Sequence, residues 1–201
     1  MIYSVRGELI AKEISLVVIE CSGVGYACRT TLATLSQIGN LGEEVRLYTY
    51  LNVREDSMEL FGFHTLDELN CFKMLTTVSG VGPKAGLSIL SDISVEKFAL
   101  IVASGDSKAL TKVKGIGPKI AQRIVLELKD KIAKEGFSST GEGLDFEPIL
   151  SDSNTGEAMS ALVVLGYSQS DVAPIIAKLD QNLSSSEMIK QVLKMIGKKF
   201  E

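Results

Sequence analysis

The 201-residue sequence holds a single histidine, His64. Histidine-based triads and metal sites built from several imidazoles need more rings or another base in their place, so hydrolytic readings fall away first. The three cysteines, Cys21, Cys28 and Cys71, are odd in number and show no C-x-x-C spacing. A disulfide framework and a thiolate zinc site are thereby excluded, and buried thiols are expected. No G-x-x-x-x-G-K-[ST] string occurs: the only Gly-Lys pair, Gly197-Lys198, is followed by Lys199, so the chain is not a P-loop ATPase on its own. No window approaches about 18 consecutive apolar residues, and the opening MIYSVRGELI runs into an alternating pattern without a signal peptide's apolar stretch. The expected compartment is the cytoplasm, with no membrane partner, no metal and no cofactor.

What is present is an ordinary folded composition, 45% hydrophobic and 23% charged, enough for packed cores in one or two domains, or in three small ones. The net charge of -4 argues mildly against an anionic partner when taken whole. The charge is segregated, however. Residues 1–63 carry 5 basic and 8 acidic side chains, residues 64–137 carry 11 and 8, and residues 138–201 carry 5 and 9. A basic middle between acidic ends is the layout of a multi-part protein in which one part meets an anion.

Residues 1–63 read as strands over Ile2–Ile10, Leu16–Cys21, Gly25–Thr30, Val45–Leu51 and Leu60–Phe63, with one helical turn around Leu32–Ile38. Five or six short strands in this length close into a small barrel, and a five-stranded, partly open barrel of the OB type matches it. From residue 64 the period becomes helical. Thr65-Leu-Asp-Glu68 is a capping box opening a helix to about Val78, with Leu69, Phe72, Leu75 and Thr76 on one face. Further helices follow Pro83, Ser94 and Pro118, the last placing Ile120, Ile124, Leu128 and Ile132 on its inner side. Residues 137–153 are rich in Ser, Gly, Asp and Glu without a sustained period and read as a flexible linker. Beyond it, Thr155–Leu165, Ser170–Leu179 and Ser186–Phe200 form a predicted three-helix bundle, with possible caps at Asn154, Ser168 and Ser184 and a terminator at Gly166. The expected fold is therefore α+β and multidomain: a barrel over 1–63, an all-α part over 64–136, the linker, and a bundle over 154–201.

One internal repeat stands out in the basic segment. Val78-Ser79-Gly80-Val81-Gly82-Pro83-Lys84 recurs as Val113-Lys114-Gly115-Ile116-Gly117-Pro118-Lys119. The apolar residue between the glycines must turn inward to pin two helices together. The glycines permit φ > 0 and leave no Cβ between the backbone and an approaching group. Proline at the first helical position gives up an amide the helix would not have used, and the remaining first-turn N–H groups face outward at the positive end of the macrodipole. Each corner is thus an anion cradle, and Lys84, Lys119 and Arg123 add full charges near it. One such corner alone is an ordinary helix–turn–helix connection. Two, with matched lysines in the only basic third of the protein, read as tandem helix-hairpin-helix grips on a phosphate backbone. A Rossmann reading fails because Gly86 falls one residue late and no strand precedes either turn. Phosphate contacts carry no sequence information, so the nucleic acid is recognised by shape.

Taken together, a barrel with Val53-Arg54-Glu55-Asp56 before Leu60-Phe61-Gly62-Phe63, the paired corners, a linker and a terminal bundle with Leu165-Gly166-Tyr167 resemble the RuvA family over the whole chain. These are the bacterial Holliday-junction recognition subunits of the branch-migration complex. The resemblance implies a homotetramer, or a pair of tetramers, holding a four-way DNA junction open and nearly planar for recombination and repair. It implies a UBA-like terminal bundle that contacts RuvB, the separate hexameric ATPase, and a junction resolvase as a further partner. It makes the protein a non-catalytic subunit. DNA contact falls to Ser79, Gly80, Val81, Gly82 and Lys84 in the first corner and to Lys114, Gly115, Ile116, Gly117, Lys119 and Arg123 in the second. Glu55 and Asp56 match the family's acidic pin, and Leu165, Gly166 and Tyr167 are the expected partner contact. Eight cradles per tetramer, each neutralising about one phosphate, imply a slope of log K against log salt of roughly -7. Ser79 stands where the family commonly has asparagine, Lys114 where it commonly has proline, and Pro118 where it often has a basic residue, so charge has moved within the second corner.

Two other classes fit parts of the sequence. A hairpin-containing glycosylase or nuclease would need a catalytic Lys or Asp beyond the second corner, and Lys129 and Asp130 are the nearest candidates. A general scaffold for single strands or ribosomal RNA would use Tyr48, Tyr50 and Phe61 as a stacking platform, though alternating aromatics on short strands more commonly belong to a barrel core or a subunit interface.

Overall fold

A computed structural model of the chain describes residues 2–136, 154–180 and 182–197. The expected linker over 137–153 and the last residues of the expected terminal helix, 198–200, lie outside these. The chain divides into two compact units, Met1–Val95 with Val113–Gly115, and Glu96–Lys112 with Ile116–Glu201.

The first unit begins with strands β1 (Ser4–Lys12), β2 (Leu16–Cys21), β3 (Val24–Arg29), β4 (Glu44–Val53) and β5 (Met58–Phe63). They close into a barrel in the order β1-β2-β3-β5-β4, with β4 returning to β1. This is the expected OB-type barrel. Alternate apolar residues point inward, so Val5, Leu9, Val17, Ile19, Cys28, Val45 and Leu47 make one core. A register shift between Leu9 and Ala11 bends β1 so that one strand can pair with both β2 and β4. Closure depends on a short parallel contact in which Cys28 lies beside Leu60 and Arg29 beside Phe61. Burial pushes the Cys28 thiol up to about 12, Cys21 adding to the shift, and none of the three cysteines is in a disulfide.

Helix α1 (Leu32–Gln37) lies between β3 and β4 in the chain, and α2 (Leu66–Thr77) and α3 (Pro83–Asp92) follow the barrel. Only half of the expected capping box forms. The Thr65 hydroxyl accepts from the Glu68 amide at 3.2 Å, but the Glu68 carboxylate leaves its own helix end. It accepts hydrogen bonds from Thr31 and, at 2.6 Å, from Thr34, while the Thr34 hydroxyl accepts from the His64 amide at 2.9 Å. Tertiary packing places two hydroxyls closer to that carboxylate than the cap amide it was expected to serve. Thr31, Thr34 and Glu68 are all buried, so the cluster fastens α1 to the barrel-to-helix connection.

Burial is the largest influence on the Glu68 carboxyl and holds it above its ordinary value of 4.5, against the pull of the hydroxyls. A raised carboxyl pKa means that the folded state keeps its proton to higher pH than the unfolded chain does. This group's stabilisation is therefore present below the ordinary carboxyl range and lost as pH rises through the folded value. Glu68→Gln should remove that loss. In urea unfolding between pH 4 and 8, the difference in stability between variant and wild type should grow in the variant's favour with rising pH and then level; a pH-independent difference would contradict the assignment.

The second unit carries α4 (Val95–Ser104, whose first residue belongs to the first unit), α5 (Ser107–Leu110), α6 (Pro118–Gly136), α7 (Asn154–Val164), α8 (Gln169–Ile176) and α9 (Ser185–Gly197). The four-residue α5 was not legible from periodicity, although its start follows local chemistry: Asp106 accepts from the Ala109 amide at 3.3 Å. Phe98, Val102, Leu110, Ile124 and Leu128 are buried. The inner stripe of α6 includes Ala121 and Val125, with Ile120 only half-buried. In the terminal helices, Leu162, Val172, Ile176, Met188, Ile189 and Val192 form the core. Ser168 and Ser184 cap α8 and α9 as expected, each paired with the carboxylate three residues on. Asn154 donates to the Leu183 carbonyl at 3.1 Å and Ser185 to Glu157 at 2.8 Å, so the starts of α7 and α9 are tied together.

Candidate nucleic-acid interface

The first corner is built by the chain leaving α2. The Val81 amide donates to the Val78 carbonyl at 3.0 Å, Gly80 sits at φ 87°, and the side chains of Val78 and Val81 are buried. Only glycine takes that dihedral without cost, so Gly80 is explained by the turn itself. Gly82 is different. Its φ of -85° and ψ of 172° suit any residue, and a Cβ there would meet nothing within 4 Å. It is the N-cap of α3, and no side chain caps that helix, whereas Thr31, Thr65, Asp106 and Ser168 cap α1, α2, α5 and α8. Pro83 takes the first helical position, and the Gly82 carbonyl accepts the first helical bond from Gly86 at 3.0 Å. The amides of the first turn thus end a helix with a bare backbone approach.

The second corner repeats this residue by residue. Gly115 sits at φ 88°, Val113 and Ile116 are buried, Pro118 opens α6, and the Gly117 carbonyl accepts from Ala121 at 2.9 Å. A Cβ on Gly117 would also enter open space. Ser79, Gly80, Gly82 and Lys84 are exposed in the first corner, and Lys114, Gly115, Gly117, Lys119 and Arg123 in the second. Val81 and Ile116 can offer only main chain. The Lys114 carbonyl accepts from Ser88 at 3.2 Å, and the Arg123 guanidinium lies 3.7 Å from Glu127 one turn on.

Glu55 and Asp56 occupy the tip of the β4–β5 hairpin. Pairing continues to Val53 opposite Met58, both exposed, and the turn is closed by the Arg54 amide donating to the Ser57 carbonyl at 2.8 Å. The hairpin therefore extends past the barrel core before it reverses. Beside it, an open cleft of about 390 Å³ is lined by Arg54, Asp56 and Glu59 from the hairpin and by Gly82 and Lys84 from the first corner. Arg54 is not legible as a site residue from the sequence, because in the V-R-E-D run it sits beside two carboxylates and nothing local shows that the turn faces the corner.

The residues of the possible stacking platform do not form an open aromatic face, although Tyr50 and Phe61 are paired across β4 and β5. Phe61 is fully buried, its ring 5.3 Å from that of Phe72, Tyr50 is half-buried against both, and Tyr48 meets the edge of Tyr3. His64 is exposed at the barrel-to-helix connection. Lys129 is exposed, and the side chain of Asp130 lies outside the described set. Among the described residues no three His, Cys, Asp or Glu side chains are grouped to hold a metal ion, and no helix is long and apolar enough to cross a membrane. In the terminal bundle, Gly166 at φ 90° ends α7, with the Tyr167 amide donating to the Leu162 carbonyl at 3.2 Å and the Gly166 amide to Val163 at 2.9 Å. Leu165 is buried, Tyr167 half-buried and Gly166 exposed.

Three family models match successive parts of the chain. The RuvA N-terminal domain family matches residues 1–62, the SAM-like helix-hairpin-helix tandem residues 72–130, and the RuvA C-terminal domain residues 153–197. The chain is 45% identical over 197 residues to the Holliday junction branch migration complex subunit RuvA of Acetivibrio thermocellus, covering 96% of this chain and 98% of that protein. It is 42% identical over 195 residues to the subunit of the same name from Ruminiclostridium cellulolyticum, with 96% and 98% covered. For that from Clostridium beijerinckii the identity is 40% over 192 residues, with 96% and 97% covered.

Proposed function

Because this chain belongs to the RuvA family, we propose that it binds four-way DNA junctions by shape and couples them, as a non-catalytic subunit, to a branch-migration motor. The observation that carries the reading is the pair Gly82 and Gly117. Each is a glycine at a helix start where neither dihedral nor packing demands one. What benefits from the missing side chain is a ligand approaching the backbone, and the group that suits unpaired first-turn amides with a lysine alongside is a phosphate. Buried Val81 and Ile116 hold the two turns rigid, so the amides are positioned before the DNA arrives.

The rest of the proposed mechanism follows from charge and symmetry. Four subunits around one axis give eight cradles for four duplex arms, with the Glu55 and Asp56 carboxylates collected near the crossover. There they repel phosphate and disfavour a continuous duplex lying across the centre, while the basic corners hold the arms. The terminal bundle meets the RuvB ATPase through the Gly166–Tyr167 turn, since buried Leu165 supports that turn from inside. Such a complex works in the cytoplasm, needs no metal or cofactor of its own, and leaves a face for a second tetramer or a junction resolvase.

A competition gel at fixed salt with four-way junction, linear duplex and single strand tests the reading. The junction should win by orders of magnitude, and the free protein should have the mass of four subunits; equal binding of the three DNAs would overturn the proposal. The pin has its own expected outcome. Glu55→Asn combined with Asp56→Asn should raise affinity for linear duplex about tenfold at low salt, about 1.4 kcal/mol, because the repulsion that excludes it is gone. Anisotropy titration of a labelled duplex measures this, and unchanged duplex affinity would count against a steering role.

A further inference from the structure

The cleft between the β4–β5 turn and the first corner contains more positive charge than the acidic character of the pin suggests. Of the two carboxylates lining it, Glu59 is taken by Arg29 at 2.7 Å, and the Asp56 carboxylate faces the Ser57 hydroxyl at 3.3 Å. Of the cations, Arg54 and Lys84 are both exposed, and neither has an ion-pair partner among the described residues. Elsewhere on the barrel the basic side chains are largely engaged: Arg6 pairs with Glu44, Arg29 with Glu59, and Lys12 donates to the carbonyls of Ile38 and Gly39. Arg54 is held at the base of the turn by its own amide bond to the Ser57 carbonyl, so its position is fixed while its guanidinium stays unengaged. Glu55 does not line the cleft.

We propose that Arg54 is a further DNA contact, a guanidinium that grips a backbone phosphate of the strand passing from the first corner toward the crossover. The inference rests on the junction-binding reading and refines it. Gly82 and Lys84 line the same cleft, so the first corner and Arg54 face one common ligand space. A planar guanidinium suits this ligand because it donates two parallel hydrogen bonds to one phosphate, which an ammonium cannot do. The turn then has two electrostatic sides: Arg54 attracts the strand that bends into the centre, and the carboxylates beyond it repel a strand that would run straight across. Linear duplex lying on the corners does not turn into the cleft, so Arg54 acts on junctions selectively.

The experiment uses the full chain with Arg54→Gln, Arg54→Lys and Lys84→Ala, titrated against labelled four-way junction and linear duplex over a salt series. Arg54→Gln should lower junction affinity about tenfold, change duplex affinity less than twofold, and flatten the junction salt slope by about 0.9 for each Arg54 engaged, so by 3 to 4 for four subunits. Arg54→Lys should keep the slope and lose part of the affinity. Lys84→Ala should weaken both DNAs. Unchanged junction affinity and slope in Arg54→Gln, with Lys84→Ala still weakening both, would overturn the Arg54 contact and leave the junction reading standing. Equal losses on junction and duplex would overturn its selectivity. A wild-type protein without junction preference would instead remove the reading on which the inference rests.

Discussion

Gly82→Asp combined with Gly117→Asp is expected to lower affinity for a four-way junction by at least a thousandfold, roughly 4 kcal/mol, with no loss of thermal stability. The two effects have opposite signs for a physical reason. Aspartate is among the best N-cap residues, and the extended dihedrals at Gly82 suit it, so its carboxylate should accept from the second or third helical amide and complement the macrodipole. Each substitution should thus leave the helix as stable as before or more so. The same carboxylate occupies the amides proposed for phosphate and sets a negative charge against the incoming one. Losing a charge-assisted hydrogen bond costs about 1.5–3 kcal/mol, and both cradles of every subunit are affected. Thermal unfolding and anisotropy titration of the same preparation measure the pair of outcomes. Full junction affinity in the double variant would show that the glycines serve something other than DNA.

Phe72→Ala should have the largest effect on stability. The Phe72 ring is fully buried, 4.8 Å from Phe63, 5.3 Å from Phe61 and 5.5 Å from Tyr50, so one side chain of α2 closes the barrel end formed by β4 and β5. On its other side lies Gly86 of α3, where a Cβ would stand 3.2 Å from the ring. Removing it leaves a cavity between barrel and helices that rigid strands cannot fill, at a cost of about 3–5 kcal/mol. The expected result is a fall in melting temperature of about 15 °C or more, followed by circular dichroism, with Phe72→Leu losing much less. A shift of only a few degrees would show that the ring is not central to the seam. Because α2 leads directly into the first corner, Phe72→Ala should also weaken junction binding more than an alanine at an exposed position of the same helix would.

Much of this was legible before any coordinates. The strand pattern gave five strands, with β2 placed to the residue and β4 continuing two residues further at its end, to Val53. Ser168, Ser184 and Gly166 punctuated the terminal helices where a hydroxyl–carboxylate pair and a left-handed glycine do so. The corners were readable because their chemistry is local: glycine, inward apolar residue, glycine and proline specify a turn and a helix start within seven residues. Other features were hidden because they depend on residues distant in sequence. Glu68 looked like a capping-box carboxylate until Thr31 and Thr34, more than thirty positions earlier, were brought against it. Phe61 is the core residue that alternating aromatics on short strands more commonly are, but its cover, Phe72 of α2, could not be named from the pattern. The short α5 spans too few residues to show a period.

The amino-acid order alone determined the division into strand-rich and helical parts, the repeated turn and the segregation of positive charge into the middle third, because propensity, capping and glycine dihedrals act over a few residues. Barrel closure through the brief β3–β5 contact, the burial of Glu68, and the meeting of Arg54 with Gly82 and Lys84 in one cleft were decided only by the tertiary structure. Each of these needs chain segments far apart to be held at fixed distance, and that distance is set by how a closed sheet and a packed aromatic ring fill space.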